Sequence, residues 1–153
     1  MVGDNAVGKS CLITAFLHNT FNENYEPSVL DVYRGTKTLK LGEGKKEISY
    51  QLEMHDTSGD DALSPNRAVI FKGADVFMIC VAKDKRDSFD NINKWKQEIQ
   101  AVERDKPIML ILTKDDIKGF EAQVSSEDLK NFRTESDGSF SGVRTTSALK
   151  LKD

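Results

Sequence analysis

The sequence predicts an α/β domain, a mostly parallel sheet with helices on both faces. Three observations carry that expectation. The runs Val76–Val81 and Ile108–Leu112 are continuously apolar, the mark of strands covered on both sides. Between them Phe89, Ile92, Trp95, Ile99 and Val102 recur at helical spacing, which predicts an amphipathic helix packed on the sheet. Finally, Gly3-Asp4-Asn5-Ala6-Val7-Gly8-Lys9-Ser10 fits G-x-x-x-x-G-K-[ST], a phosphate loop that leads into a helix. With 153 residues the chain is expected to be one domain, 1–153, with a real core.

In chain order, only Met1 and Val2 precede the phosphate loop, where a full central strand is usual. Gly3 and Gly8 allow its tight path and positive φ angles. Cys11–Leu17 reads as the helix that follows, its positive dipole end facing the loop. Asn19–Ser28 is polar and turn-rich, as in a surface loop. Thr36–Leu41 reads as a strand and Gly42-Glu43-Gly44-Lys45 as a hairpin turn. Ile48, Tyr50, Leu52 and Met54 alternate, so Glu47–His55 is expected to be a strand with one buried face. Beyond Gly59 another polar loop is expected, with Pro65 arguing against an early helix. Ser88 is the expected N-cap of the amphipathic helix. Ser125 and Asp128 would cap a short helix through Phe132, and Phe140–Thr145 would form a last short strand.

Lysine and arginine total 22 against 25 acidic residues, a net charge of -3, which gives no pull toward nucleic acid or an anionic membrane. Cys11 and Cys80 lie in apolar segments and are expected as buried free thiols, which suits a reducing compartment and a cytoplasmic location. The sequence holds no signal peptide, transmembrane run or C-a-a-X box. No membrane anchor is therefore expected in this chain, and any membrane association is left to segments outside it.

The phosphate loop and the turns after the buried strands share the carboxyl edge of the predicted sheet, where ligands bind in such folds. Main-chain N–H groups from Gly3 through Gly8, across Asn5, Ala6 and Val7, and on into Ser10 and Cys11 would wrap a nucleotide's phosphates. Lys9 would reach the β- and γ-phosphates, and the Ser10 hydroxyl would ligate Mg²⁺. Asp56, at the end of a strand, can hold Mg²⁺ through water, and the Gly59 amide can meet a γ-phosphate. In Thr113-Lys114-Asp115-Asp116, the Asp116 carboxylate can accept both N1–H and the exocyclic amine of guanine while the Lys114 stem packs over the ring. Adenine lacks that donor pair. A backbone amide of Ser147-Ala148-Leu149 would meet guanine O6. Phe21 and Tyr25 offer an aromatic wall, and Ser28 a second hydroxyl for Mg²⁺; the lesser alternative for Phe21 is a plain core anchor.

Taken together, the five motifs make the chain resemble a small GTPase of the Ras superfamily, in order and spacing, over essentially its whole length. Tyr25-Glu26-Pro27-Ser28-Val29 looks like a Ras or Rho first switch, T-K-x-D and S-A-L resemble Rho members, and Ser88–Trp95 reads more like Rab. The resemblance implies a P-loop NTPase fold, Mg²⁺ and GTP or GDP as ligands, and a timer in which the γ-phosphate orders two loops. Ser28 takes the place of the switch I threonine. Lys9, Ser28 and Asp60 stand where the family's catalytic positions lie. Effectors, exchange factors and activating proteins would use Tyr25–Val29 and Gly59–Phe71.

Four departures qualify that picture. Asp60 replaces the glutamine that orients the attacking water, and it brings negative charge toward the γ-phosphate. Asn5 replaces a glycine and would crowd the same space. Both imply slow or absent hydrolysis. Ser28 for threonine keeps the hydroxyl and loses a packing methyl. The short start and the missing closing helix leave N- and C-terminal elements apparently truncated; the preferred expectation is a piece of a longer protein, the alternative a further domain that completes it. Two other functions stay open: a silent GTPase-fold module that docks partners, and a P-loop kinase, disfavoured because Thr113–Asp116 has no role there.

Overall fold

Two uninterrupted apolar runs form the middle of the sheet in the computed structural model of the chain, which describes residues 1–21, 30–41 and 46–150. These are β3 (Phe77–Ala82) and β4 (Ile108–Thr113), paired in parallel from Phe77↔Ile108 to Ala82↔Thr113. β5 (Gly142–Thr145) continues the sheet beside β4, also parallel. Successive side chains point to opposite faces of a strand. Phe77, Ile79 and Val81 pack on one face with Trp95, Ile99 and Leu129, while Cys80, Ala82 and Ile111 pack on the other with Val7 and Leu12. Helices thus cover both faces, which is why neither run alternates with polar residues. Each large side chain removed from water contributes about 1.5–3 kcal/mol.

Residues 1–2 join this sheet to an antiparallel hairpin. Val2 bridges to Ile79, its N–H donating to Met78 O at 2.9 Å and its carbonyl accepting from Cys80 N at 2.8 Å. On the other side the Thr57 hydroxyl donates to Met1 O at 2.8 Å. Thr57 ends β2 (Lys46–Thr57), which pairs with β1 (Leu30–Leu41) over its whole length. β1 starts at Leu30 rather than at the expected Thr36, with Gly35 inside it as a close-approach point. A Cβ there would stand 2.8 Å from Leu17 Cδ2 of α1 (Lys9–His18). The expected turn at 42–45 and most of the expected loop at 19–28 lie outside the described residues.

Four local expectations need correction. The segment after Gly59 is helical, a 3₁₀ turn at Asp61–Leu63 followed by α2 (Ser64–Phe71). Pro65 sits in the first turn of α2, where its missing N–H has no partner to lose. The amphipathic stretch is two helices, α3 (Arg86–Asp90) and α4 (Ile92–Gln100), and Ser88 is not their cap. Its buried hydroxyl donates to Lys85 O at 2.6 Å and accepts from Ala82 N at 3.0 Å, tying α3 to the end of β3. Cys80 is fully buried, which pushes its thiol up to about 11, whereas Cys11 is only partly buried; both are free.

The helix α5 (Ser126–Glu135) carries the expected capping box. Ser125 Oγ accepts from Asp128 N at 3.1 Å, and the Asp128 carboxylate accepts from Ser125 N at 2.7 Å. The Ser125 N–H and the Ser125 hydroxyl, which also donates to the carboxylate at 2.8 Å, hold the Asp128 carboxyl below its usual range. Its stabilising share is therefore present above the ordinary carboxylate pKa and is lost as pH falls through the lowered value. Ser125→Ala should lower unfolding stability by about 1 kcal/mol in urea titration at neutral pH, and the loss should shrink in acid.

Candidate functional site

The phosphate loop runs between Val2 and α1 on backbone angles that most residues avoid. Gly3 has φ 137° and Gly8 φ 91°; Ala6, at φ 61°, takes the left-handed region without being glycine. A Cβ on Gly3 would stand 2.5 Å from Cys80 O, so the loop's first glycine is required by its approach to β3. Lys9 turns back under the loop, donating to Gly3 O at 2.8 Å and Asp4 O at 2.7 Å. Burial holds its ammonium below the usual lysine range. The Ser10 hydroxyl donates to Asp56 Oδ2 in a short bond, which places a hydroxyl and a carboxylate side by side at the head of α1. Such hard oxygens suit Mg²⁺, which fills its other positions with water and phosphate oxygens.

Asp4 holds the loop from below. Its carboxylate accepts from Trp95 Nε1 at 2.8 Å and from Asn91 Nδ2 at 2.9 Å. Sequence reading passed over all three as site residues, taking Trp95 as plain core; its buried indole N–H, which must find an acceptor, was the available signal. Arg67 was missed as well. Although only 1% exposed, it is paired with Glu98 through two bonds of 2.6 and 3.0 Å, and it lies over the Trp95 ring at 4.9 Å. Its Nη1 donates to Ser58 O at 3.0 Å and Asp60 O at 2.5 Å, gripping the carbonyls on either side of Gly59.

The Asp60 side chain is engaged locally. Asp60 Oδ1 accepts from Ala62 N at 2.9 Å and caps the 3₁₀ turn. Gly59 is pressed against the phosphate loop, where an added Cβ would lie 2.3 Å from Asn5 N. The Gly59 N–H donates to the Asn5 side-chain oxygen at 3.1 Å.

Of the other predicted residues, Gly8, Cys11, Phe21, Thr113, Lys114, Asp116, Ala148 and Leu149 line, among others, a cavity of about 160 Å³ beside the phosphate loop's cleft. Thr113 couples it to the phosphate loop, its hydroxyl bonding Val7 O at 2.5 Å and Val81 O at 3.1 Å. Ser147, buried behind the cavity, donates to Asp116 Oδ1 at 2.5 Å and so orients that carboxylate. Lys114, at φ 57°, pairs with Asp84 at 2.9 Å. Lys83 pairs with Asp115 at 2.6 Å and holds its carboxyl below the usual range. Burial raises the Cys11 thiol. Tyr25 and Ser28 lie outside the described residues.

The chain matches the family model of the Ras family over residues 1–152. It is similar to the Rho-related protein racC of Entamoeba histolytica, 35% identical over 119 residues, an overlap that covers 77% of this chain and 58% of that protein. The chain thus spans little more than half the length of that relative.

Proposed function

The chain belongs to the Ras family, and from that premise we propose that it is a guanine-nucleotide switch with weakened hydrolysis. The observation that carries the nucleotide reading is the junction of two cavities. One hydroxyl, Thr113 Oγ1, bonds the phosphate loop at Val7 while standing at the carboxyl end of β4, the strand that leads to Asp116. A base held by Asp116 then has its phosphates delivered to the N–H groups around Lys9. Ser10 and Asp56 would hold Mg²⁺, which supplies neutralisation of phosphate charge. By family resemblance Ser28 would join them.

The reading of weakened hydrolysis rests on Asp60 and Asn5. The Asp60 carboxylate is used as a cap on Ala62 N, and it has no N–H with which to hold an attacking water. Asn5 stands beside Gly59, its side-chain oxygen accepting the Gly59 N–H, where by family resemblance it would crowd such a water. A static docking module is the second reading, favoured by the grip of Arg67 on both sides of Gly59. It predicts equal partner affinity with GDP and with a GTP analogue.

Single-turnover hydrolysis of γ-labelled GTP tests the first. The expected rate falls clearly below the ~10⁻⁴ s⁻¹ scale of unassisted Ras. The double variant Asn5→Gly with Asp60→Gln should gain roughly tenfold or more. An unaltered chain already at the Ras rate, or no gain in the variant, would overturn the weakened-hydrolysis claim.

A further inference from the structure

The contact between Asn5 and Gly59 joins residues 54 apart in sequence, and both ends of it are held. Lys85 Nζ donates to Asn5 O at 3.3 Å, which steadies the asparagine backbone. Arg67 bonds Ser58 O and Asp60 O, which aims the intervening Gly59 N–H at the phosphate loop. Backbone touches backbone here, since a Cβ on Gly59 would come 2.4 Å from Asp4 C and 2.8 Å from Gly3 O. The Asn5 carboxamide oxygen accepts the Gly59 N–H at 3.1 Å. The contact stands at the wall of a small open cleft lined by Asn5, Lys9, Ser10, Asp56 and Gly59, the cleft in which the phosphates would lie.

We propose that the Asn5 carboxamide is a built-in surrogate for the γ-phosphate, and that it sets the chain's preference for guanosine diphosphate over triphosphate. This rests on the nucleotide reading above and deepens it. A diphosphate leaves the Asn5–Gly59 bond in place. A triphosphate must present its third phosphoryl group to the same N–H, so Asn5 has to give up its donor and rotate out. The exchange costs the triphosphate one neutral hydrogen bond and the rotation of the Asn5 side chain, neither of which the diphosphate incurs. The device differs from a hydrolysis defect, because it acts on the ratio of two affinities even when no bond is cleaved.

The test is titration of the Mg²⁺-loaded chain with fluorescent GDP and with a fluorescent non-hydrolysable GTP analogue. Three chains are compared: unaltered, Asn5→Gly and Asn5→Leu. Leucine keeps the bulk and removes the acceptor. The unaltered chain should favour GDP, and both variants should shift the ratio toward the triphosphate analogue by about three- to tenfold, the range of one neutral hydrogen bond. The Gly59 amide resonance of the GDP form should also move in Asn5→Leu, while that of the triphosphate form stays. An unchanged ratio in both variants overturns the proposal, as does a shift confined to Asn5→Gly, which would assign the effect to bulk. Failure of the unaltered chain to bind either nucleotide overturns the nucleotide reading itself, a distinct result.

Discussion

Replacing Arg67 with methionine is expected to lower unfolding stability by about 3 kcal/mol, near the low end of the range for breaking a buried ion pair. The guanidinium is 2% exposed at its side chain and Glu98 is 16% exposed, so removing the cation strands a carboxylate that has little water to turn to. Some water does reach Glu98, which places the expectation at the low end. Two further acceptors, Ser58 O and Asp60 O, lose their donor at the same time. The double variant Arg67→Met with Glu98→Leu should recover more than half of the loss, because no charge is then left alone. What stays lost is the grip on residues 58–60, visible as faster amide exchange at Gly59. Urea unfolding of the unaltered chain and the two variants measures the first part, and amide hydrogen exchange at Gly59 measures the second. A single variant within 1 kcal/mol of the unaltered chain would mean that the pair contributes little net stability.

The largest effect on binding is expected at Asp116. Its carboxylate, held by the Ser147 hydroxyl at the edge of the 160 Å³ cavity, can accept two N–H donors from guanine. Hydrogen bonds to a charged group contribute about 1.5–3 kcal/mol each, so Asp116→Asn should weaken GDP about 10²–10⁴-fold. The amide that replaces the carboxylate turns one acceptor into a donor, which faces the guanine amine badly. Xanthine carries an oxygen at that carbon, so the variant should bind xanthosine diphosphate better than GDP, reversing the order of the unaltered chain. Competition titration reads the reversal directly. A variant that loses all nucleotides equally would show that Asp116 supports the fold there and does not read the base.

Much of this was legible in the sequence where the signal is local. The phosphate loop occupies eight consecutive residues, the Asp116 motif four, and the Ser125–Asp128 box four, each confined to one turn or strand end. The doubly buried strands announce themselves by losing the polar half of the alternation. Illegible were the contacts made across the sheet. Trp95 meets Asp4 across 91 positions, Asn91 meets Asp4 across 87, and Gly59 meets Asn5 across 54. No spacing rule encodes such pairs. Arg67 sits in a stretch that reads as polar loop, and its burial follows only once α4 places Glu98 and Trp95 beside it. Ser88 misled because a serine before an apolar stripe is the usual sign of a cap, whereas β3 ends within reach of its hydroxyl. Pro65 misled in the same way, since a proline is welcome one residue into a helix.

The central claim is that one continuous site selects guanine at Asp116 and seats the phosphates around Lys9. Its most direct test is equilibrium binding of GDP, GTP, ADP and ATP to the purified, Mg²⁺-loaded chain. Both guanine nucleotides should bind and neither adenine nucleotide should compete at a hundredfold excess, as expected for a buried polar group left unpaired by the wrong base. Equal binding of ADP and GDP, or no binding of any of the four, would contradict it.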